Sequence, residues 1–543
     1  MRSLFCCHWS LVVLLLAVSA CSPACVVGHV SFRKGCRNAQ IAQDLKEKLG
    51  LDCGGASYQW ILPESNLDEG LPFHGDVTRL RLAMHRLLVM KQNLTLGFIG
   101  GSVTWGYGII GPSETRKIWP LWTDEVLKRF LPADAAARVT VVNGAISATG
   151  STFFSLCHQE RLSPNVDVVL MDFAINDHDP SIHPHAVERT LRSVARSYAN
   201  FPAQVLFNFY NWFECVHGGI GHYGSPIGHP TMGDRYLEIG AYYRVAVASI
   251  KHCCYKLMKG GEDGFGVDGF RVDRPIRVGT GCVRPIVTTL GQHANLTQSQ
   301  QAALDVGREG NTVDHSDDTL QAHSFFNDGP HPGGETGARA AGEIAAALLL
   351  GAAASLVWDP VTPEEAAAAE QVLPPPLFPN NYAVTGSSCV VHGQLRNLTV
   401  RNEGFVFNDE GRAGKWGWVS DLPGSSVDFK LAVVYGGGGG NAKIAVHVLY
   451  LQSYANMGQG LVSCVSGCVC NDAQFDGHKD YPRHSFSVSI SVLVTQHPEC
   501  VIRIMVLNNT TAPDGGRKVK VNGFTLSSAT HEQQQALVFP ELS

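Results

Sequence analysis

The sequence predicts an α/β three-layer sandwich followed by an all-β sandwich domain, and three observations carry this prediction. Between about residues 73 and 355, apolar strand candidates alternate with helix candidates, which is typical of a parallel sheet covered on both faces. Beyond a proline-rich stretch at 373–381, the pattern changes to short segments in which apolar and polar residues alternate. The length of 543 residues exceeds what one hydrophobic core usually organises, so two domains are expected.

The strand candidates of the first part are apolar nearly throughout, as strands buried on both faces should be. They lie at 94–99, 138–143, 166–173 and 204–210. Helices are predicted at 120–130, with proline tolerated at the first position, and at 185–198, 236–258 and 336–354. The residues before 73 form a cysteine-containing lead-in that has no predicted place in the core.

The second part begins with a short helix and a linker. Thr362-Pro363-Glu364-Glu365 is a capping box, and "LPPPLFPNN" then ends the helix. In "HSFSVSISVLV" apolar residues alternate with serines, and 428–435, 443–451, 500–507 and 518–526 are similar, which predicts a β-sandwich. The glycine run 436–440 favours a hairpin connection over a ligand loop. The predicted boundaries are a signal peptide at 1–20, the lead-in at 21–72, the α/β domain at 73–358, helix and linker at 359–381, and the β-sandwich at 382–543.

The N-terminus predicts secretion. Arg2 precedes an apolar run that ends in Val18-Ser19-Ala20, a small-residue cleavage site, and the run is too short to span a bilayer comfortably. An uncleaved signal anchor is the alternative. No later segment is expected to cross a membrane, because the Ala-rich stretch near Ala345 suits a buried helix. Cleavage leaves an even number of the sixteen cysteines, which favours disulfides.

Glycosylation sequons agree with a secretory route; they begin at Asn93, Asn295, Asn397, Asn508 and Asn509. In this compartment Cys464-x3-Cys468-x-Cys470 indicates local disulfides rather than a metal site. The balance of 42 basic and 48 acidic residues gives no electrostatic case for nucleic acid as a partner.

A glycine-rich turn follows the first strand, in "LTLGFIGGSVTWGYG" at 94–108. Gly106-Tyr-Gly108-Ile-Ile-Gly111 fits a dinucleotide-binding fingerprint, but its first glycine does not come directly off the strand, and no acid follows at the end of a second strand. No Walker lysine follows either. A phosphate-binding loop is therefore disfavoured, and Ser102 within the turn is the residue to explain.

A nucleophile needs a base, a group that orients the base, and donors for the developing oxyanion. "FFNDGPHPGG" supplies Asp328 and His331 just before the last core helix, and "VVLMDFAIND" ends a buried strand in Asn176. "VVNGAISATGS" ends another strand in a small-residue loop whose backbone N–H groups are accessible. Each is an ordinary turn or cap residue when taken alone. Together, at the carboxyl ends of the predicted strands, they indicate a serine-nucleophile site with Ser102 at its centre.

These blocks resemble the SGNH (GDSL) hydrolase family from Leu94 to Gly334, with Gly-Ser for Gly-Asp-Ser and Ala174 for the usual glycine. The resemblance implies Ser102 as nucleophile, His331 as base and Asp328 as its orienter. It also implies an oxyanion hole formed by Ser102, Asn176 and Ala148, with Gly150 as the alternative to Ala148. Alanine suits this role if its φ stays negative. The two glycines before Ser102 are expected to let the substrate carbonyl approach.

The resemblance further implies a five-stranded parallel sheet of flavodoxin-like order. Its fifth strand has no definite place in the sequence, and the interval between Pro285 and Phe325 is where we expect it. Thr104 stands where the Gly-x-Ser-x-Gly elbow of α/β-hydrolases would need glycine, so that sharp turn is not expected.

The predicted function is a secreted serine esterase that removes acyl groups, with acetyl expected, from a carbohydrate. Two alternatives remain: an O-acyltransferase using the same acyl-enzyme, and a non-catalytic secreted glycan-binding or surface protein. Trp105, Tyr107, Trp212 and His217 are candidates to line an acceptor site, or else to pack in loops. A metal held by His178, His183 and His185 is disfavoured because the serine machinery needs none, so we expect no metal or cofactor.

Overall fold

The chain is described here by a computed structural model. It describes residues 31–107, 109, 117–177, 183–209, 215–217, 220–223, 232–260, 262–265, 325–326, 331–368, 373–379, 381, 383, 388–410, 415–434, 443–480 and 485–527. The predicted signal peptide, the glycine run 436–440 and the interval 285–324 lie outside these residues. Within them, an α/β domain is followed by antiparallel β-sheets, as the sequence predicts.

The first domain alternates strands and helices. Its helices are α1 (Phe32–Arg37), α2 (Ala39–Leu49), α3 (Glu64–Glu69), α4 (Thr78–Leu88), α5 (Ser102–Trp105), α6 (Trp119–Phe130), α7 (Ala133–Ala136), α8 (Ser151–Cys157), α9 (His183–Ser197), α10 (Met232–Tyr243), α11 (Ile250–Gly260) and α12 (Arg339–Ser355). Its strands are β1 (Leu94–Gly100), β2 (Val139–Asn143), β3 (Val168–Asp172), β4 (Ala203–Asn208), β5 (Cys215–His217), β6 (Ile220–Tyr223) and β7 (Ala246–Ser249).

Five of these strands form a parallel sheet in the order β2-β1-β3-β4-β7, which is the flavodoxin-like order. In the middle of the sheet, Leu96 of β1 pairs with Val141 on one side and Val168 on the other. Strand β3 is buried at every position, as expected for a strand covered on both faces. All four predicted strands are therefore confirmed, with small shifts at their ends.

The prediction of one helix over 236–258 is wrong. Helix α10 ends just before Arg244, which has a left-handed backbone with φ of 56°. Strand β7 follows and pairs with β4, where Val205 lies opposite Ala246, and α11 comes only after it. This strand is the fifth of the sheet, so it lies well before the interval in which we expected it. A short apolar run is compatible with both a buried helix and a buried strand, and pairing with β4 decides between them.

The N-terminal lead-in packs onto the core of the α/β domain. The buried carboxylate of Glu343, in α12, accepts hydrogen bonds from the backbone N–H groups of Ile61 and Leu62, at 2.9 and 3.0 Å. It also accepts one from the hydroxyl of Tyr58 at 2.8 Å. A disulfide between Cys36 and Cys53 closes the lead-in itself. These contacts make the segment part of the first domain's structure.

A π-helical segment, Gly334–Ala338, leads into α12, the predicted last core helix. Residues 334–355 are long and apolar enough to cross a membrane, but 89% of their most apolar window is buried inside the protein. The stretch near Ala345 is therefore a buried core helix, as predicted.

The short Ala-rich helix α13 (Pro363–Ala368) forms as the capping box predicts, with Thr362 Oγ1 accepting the N–H of Glu365. The second domain then contains strands, a 3₁₀ turn (His392–Gln394) and a helical turn, α14 (Leu395–Leu398). The strands are β8 (Ser388–Val391), β9 (Thr399–Glu403), β10 (Val406–Asn408), β11 (Gly417–Ser420), β12 (Ser426–Val433), β13 (Lys443–Gln452), β14 (Gln459–Ser466), β15 (Ala473–Asp476), β16 (Phe486–Thr495), β17 (His497–Val506) and β18 (Val519–Ser527).

These strands form two antiparallel sheets. One has the order β10-β11-β18-β13-β16 with β8 also paired to β18, and the other has the order β15-β14-β17-β12-β9. Alternate side chains of the strands meet in a common core that includes Phe429, Val448 and Ile502. Burial along β17 alternates in the way that the sequence pattern predicts.

The predicted linker packs against α9. The buried Glu188 accepts hydrogen bonds from the backbone of Phe378 and from the amide of Asn381, and Arg192 donates to the carbonyl oxygen of Pro374. A disulfide joins Cys157, at the end of α8, to Cys389 in β8. The β-sandwich and the α/β domain therefore share an interface that extends from α8 to the linker.

Three further disulfides are present among the described residues, which confirms the prediction of disulfide bonding. They join Cys253 to Cys254, Cys464 to Cys470, and Cys468 to Cys500. The cysteines of the Cys464-x3-Cys468-x-Cys470 pattern are thus disulfide-bonded. The bond between Cys464 and Cys470 is local, as predicted, whereas Cys468 pairs with Cys500, 32 residues further on. Four sequon asparagines, Asn93, Asn397, Asn508 and Asn509, are exposed, and Asn295 lies outside the described residues.

Candidate active site

The candidate nucleophile is the first residue of a helical turn that follows the central strand. Strand β1 ends at Gly100, Gly101 follows, and Ser102 begins α5 with 4% of its surface exposed. A Cβ at Gly100 would lie 2.5 Å from the carbonyl oxygen of Asp172, and one at Gly101 would lie 1.7 Å from Oδ1 of Asn176. The two glycines are therefore required by the close approach of the protein's own chain, and not only by a substrate carbonyl, as the sequence led us to expect.

The predicted base reaches the predicted nucleophile. His331 Nε2 lies 2.8 Å from Ser102 Oγ, although the two residues are 229 positions apart in the sequence. His331 is buried, and the ring of Tyr107 packs against it with 4.7 Å between the ring centres. The imidazole is thus within hydrogen-bond reach of the serine proton and is held by an aromatic neighbour.

Backbone contacts join the residues that follow this histidine to Phe325 and Phe326. The N–H of Gly333 donates to the carbonyl oxygen of Phe325 at 2.8 Å, and Phe326 pairs with Pro332 as an isolated β-bridge. These contacts place Pro332 and Gly333, directly after the predicted base, beside residues 325–326. Asp328 itself lies outside the described residues.

A buried hydrogen-bond network fixes the nucleophile's helical turn. Thr104 Oγ1 donates to Oδ2 of Asp172 at 2.9 Å and accepts from Nε1 of Trp119 at 3.1 Å. Its carbonyl oxygen accepts from the amide of Asn143 at 2.9 Å. The network joins α5 to the carboxyl ends of β2 and β3 and to α6. Sequence reasoning missed it, although the available signal was that Asn143 and Asp172 are polar residues ending apolar strands.

Asn176 lies beside the nucleophile, in the loop after β3. Its N–H donates to the carbonyl oxygen of Phe173 at 2.9 Å, which forms a turn. The side-chain amide lies directly over the position that a Cβ of Gly101 would occupy, next to Ser102. The structure therefore brings together Ser102, His331 and Asn176, three of the residues that the sequence singled out.

The second loop departs from expectation at Ala148. Its φ is 51°, so the condition of a negative φ is not met and the alanine has a left-handed backbone. For a residue with a Cβ this conformation costs roughly 1–2 kcal/mol. Gly150, the alternative donor, has an ordinary φ of −105° and lies directly before α8. The residue that needs glycine-like freedom is thus the alanine, and strain of this kind is often found at functional sites.

Two acidic side chains are buried next to these loops. Burial raises the pKa of Asp172 to about 7, although its hydrogen bond from Thr104 opposes the shift. Burial also raises the pKa of Asp177, against the opposing effects of His183 and of the hydrogen bonds from Ser151. Carboxyl groups with raised pKa values at the carboxyl edge of a parallel sheet are typical of functional sites.

The three histidines considered for a metal have different surroundings. His183 Nε2 lies 3.8 Å from a carboxylate oxygen of Asp177. The ring of His185 packs at a tilt against that of Phe378 in the linker, with 4.4 Å between the ring centres. His178 lies outside the described residues.

The residues predicted to line an acceptor site differ in their exposure and in their place in the fold. Trp105, three residues after Ser102 on the same helical turn, is 45% exposed, which is unusual for so large an apolar side chain. Tyr107 is half-buried against His331. His217 lies in the hairpin strand β5, and Trp212 lies outside the described residues.

Comparisons with known proteins return no matching family model and no matching curated protein. Among solved structures, the chain is similar to a two-domain esterase (CEX) active on acetylated mannans, with 17% identity and a TM-score of 0.48, over 86% of this chain and 99% of that one. A family two carbohydrate esterase from Cellvibrio japonicus matches with 11% identity and a TM-score of 0.16, over 26% of this chain and 34% of that one. The CBM35 from Cellvibrio japonicus Abf62 matches with 12% identity and a TM-score of 0.19, over 27% of this chain and 95% of that one. None of these values assigns an activity to this chain.

Proposed function

We propose that the chain is a serine esterase of the SGNH type that removes acetyl groups from a carbohydrate. The observation that carries the proposal is the 2.8 Å contact between His331 Nε2 and Ser102 Oγ, at the carboxyl edge of the parallel sheet. A buried serine hydroxyl needs a hydrogen-bond partner, but a backbone group can serve, whereas the partner of Ser102 is an imidazole from a loop 229 residues away. A nucleophile does need such a base.

In the proposed mechanism, Ser102 Oγ attacks the ester carbonyl carbon while its proton passes to His331 Nε2. Asp328 is proposed to accept the Nδ1–H of the imidazole and so to hold the tautomer that accepts this proton. Collapse of the tetrahedral intermediate breaks the bond from the carbonyl carbon to the sugar oxygen, which takes the proton from His331 and leaves as a hydroxyl group. Water, activated by the same histidine, then releases acetate from the acyl-enzyme.

The oxyanion formed in both steps needs donors that are already in place. The N–H of Ser102 belongs to the first turn of α5, whose N–H groups have no acceptor within the helix. The amide of Asn176 lies beside it, and the backbone N–H of Ala148 or Gly150 is proposed as the third donor. The exposed ring of Trp105 offers a flat apolar surface next to the nucleophile, which suits the face of a sugar ring.

We also infer that the chain is secreted. The signal-like run that ends at Ala20, the exposed sequons and the disulfides among the described residues support this inference. Expression in a secreting host, followed by N-terminal sequencing of the product in the medium, tests it. A product that stays in the membrane with residues 1–20 intact would show an anchor instead.

The function is tested by acetate release from acetylated mannan and from p-nitrophenyl acetate. We expect turnover by the wild-type protein, and losses of about 10³-fold or more for Ser102→Ala and His331→Ala, the size that removal of a triad member commonly has. Equal rates for wild type and folded Ser102→Ala would contradict the proposal. Transfer of acetyl to an added glycan, with little free acetate, would show the acyltransferase instead.

A further inference from the structure

We propose that Asp177 is a positioning residue for the oxyanion site: its buried carboxylate holds the loop of Ala148 and Gly150 in register with the loop of Asn176. The inference rests on the proposed function. It assigns a task to a residue that follows Asn176 directly and that the mechanism above does not use.

The contacts of Asp177 join two loops that leave different strands. Its backbone N–H donates to the carbonyl oxygen of Phe173 at 2.9 Å, which fixes it in the loop after β3. Its Oδ1 accepts the N–H of Ser151 at 3.0 Å, and Ser151 is the first residue after the loop that leaves β2. The Asp177 side chain is fully buried. The hydrogen bond is therefore shielded from water, which strengthens it.

The two loops approach so closely that only glycine fits between them. A Cβ at Gly150 would lie 2.3 Å from Oδ1 of Asp177 and 3.7 Å from Cβ of Asn176. The carboxylate therefore fixes the spacing between the proposed side-chain donor, Asn176, and the proposed backbone donors of the other loop.

This loop needs an external restraint. Ala148 has a left-handed backbone that an alanine does not favour by itself, so the loop would relax if its anchor were removed. The N–H of Ser151 has no acceptor within α8 either, because it lies in the first turn. A donor assists the oxyanion only when it is already in place, and misplacement by about 1 Å can cost about 10²-fold in rate.

The hydrogen bond, and not the negative charge, is the feature that matters in this inference. Oδ2 of Asp177 has no hydrogen-bond partner among the described residues. His183 Nε2 lies 3.8 Å from Oδ1, which is beyond a good hydrogen bond. Asparagine at 177 keeps an oxygen for the Ser151 N–H and places its NH₂ where the unpartnered oxygen was. Asp177→Asn is thus the conservative variant that should rescue function.

The experiment compares Asp177→Ala with Asp177→Asn on p-nitrophenyl acetate. We expect Asp177→Ala to lower kcat about 10- to 100-fold with KM changed less than about threefold, because the substrate's ground state does not use the oxyanion donors. Asp177→Asn should keep kcat within about threefold of wild type. A kcat of Asp177→Asn as low as that of Asp177→Ala would overturn the inference, since charge would then be what matters.

A matched control separates positioning from stability. Asp167 precedes the same strand, β3, at its other end, and its buried carboxylate also accepts a backbone N–H, that of Thr95 at 2.8 Å. Asp167→Ala should lower the melting temperature as Asp177→Ala does while leaving kcat within about twofold. A loss of kcat in Asp167→Ala equal to that in Asp177→Ala would overturn the inference.

Should Asp177→Ala fail to fold, Ser151→Pro removes the same hydrogen bond from the donor side. Proline is tolerated at the first position of a helix, and the extended backbone of Gly150 is compatible with a following proline. We expect the same 10- to 100-fold loss of kcat, and no further loss in the double variant with Asp177→Ala where that folds. Wild-type kcat in Ser151→Pro would overturn the inference. An inactive wild-type protein would instead contradict the proposed esterase function.

Discussion

The two ends of strand β3 carry the same kind of side chain in opposite circumstances. At the amino end, Asp167 accepts hydrogen bonds from Arg86, from the amide of Asn200 and from the backbone of Thr95. At the carboxyl end, Asp172 accepts one hydrogen bond, from Thr104, and its Oδ1 has no partner among the described residues. Among the described residues, the carboxylate of Asp167 thus has three hydrogen-bond partners and that of Asp172 has one.

This contrast shows where the protein gives up stability. A buried carboxyl group without a cation or a full set of donors destabilises the fold. Such groups persist where the surroundings serve a reaction, and the carboxyl edge of a parallel sheet is where α/β proteins place their sites. The amino edge of the sheet is built for stability, and the carboxyl edge holds Ser102 and His331.

The largest expected effect comes from a methyl group added at Gly101, directly after β1, and it is compared with a methyl group added at Gly97 inside that strand. In Gly101→Ala, at the carboxyl edge, the new Cβ would lie 1.7 Å from Oδ1 of Asn176. Asn176 must move, so we expect a loss of about 10²- to 10³-fold in kcat, the size of losing one oxyanion donor. In Gly97→Ala, inside β1, the atoms nearest to the new Cβ are side-chain atoms of Leu162 and Val166, at 2.6 and 2.8 Å. This variant should lower the melting temperature and leave kcat unchanged.

Activity assays on p-nitrophenyl acetate and thermal unfolding of both variants measure this difference. A Gly101→Ala protein with wild-type kcat would remove Asn176 from the site. Equal losses of kcat in the two variants would show that a methyl group lowers turnover wherever it is added along this segment. The carboxyl edge of the sheet would then not be distinguished from the rest of β1.

The next effect is on stability against pH. The pKa of Asp172 is raised to about 7 by burial, whereas the unfolded chain has a value near 3.9. As the pH rises between about 4 and 7, the unfolded state therefore loses its proton first, and the folded state becomes less stable. The full shift corresponds to about 4 kcal/mol. Asp172→Asn should remove this pH dependence and be more stable than wild type at pH 8.

Asp167→Asn is the matched change at the amino end, and it should have the opposite sign. It leaves Arg86 without its carboxylate, so we expect about 1–3 kcal/mol of destabilisation at pH 8. Urea unfolding of wild type and both variants at pH 5 and pH 8 measures the free energies. Destabilisation by Asp172→Asn at pH 8 would mean that this carboxylate is charged and well stabilised, and the contrast between the two ends would be wrong.

The smallest effect is the relief of backbone strain. Ala148→Gly removes the Cβ from a left-handed residue with φ of 51° at the carboxyl edge of the sheet. Lys91→Gly removes the Cβ from a left-handed residue with φ of 58°, which lies before β1 at the amino edge. The strain relief is partly offset by the greater freedom of glycine in the unfolded chain, so we expect a net gain of about 0.5–1 kcal/mol for each. Urea unfolding measures this gain.

Turnover distinguishes these two positions further. We expect kcat of both glycine variants to stay within about threefold of wild type, because the hydrogen bond between Asp177 and Ser151 still holds the loop. A large loss in Ala148→Gly alone would show that the alanine itself keeps the loop rigid, and would sharpen the contrast between the two edges of the sheet.

Much of the fold could be predicted from the sequence because buried parallel strands are apolar at nearly every position. Strand β3 and its neighbours have this property, and the alternation along β17 is as clear in the second domain. Strand β7 could not be predicted. It is four residues long, it lies between two helices, and the residue that ends α10 is Arg244 in a left-handed conformation that favours glycine. Only its pairing with β4 makes it a strand.

The candidate site divides in the same way. Ser102, His331 and Asn176 are recognisable because their chemistry and their places at the ends of predicted strands are visible in the sequence. The contacts of Thr104 with Asp172 and Trp119, and that of Asp177 with Ser151, are not. They depend on which loops lie side by side, and strand order in the sheet decides that.

Local sequence patterns predict the succession of an α/β domain and a β-sandwich, and they single out a serine and a histidine that the fold brings together. Local patterns suffice for this, because burial imposes a period on each segment separately. Tertiary contacts, by contrast, set the left-handed backbone of Ala148, leave Oδ1 of Asp172 without a partner among the described residues, and dock the sandwich on α8. These depend on contacts between segments far apart in the chain, and no local pattern specifies such contacts.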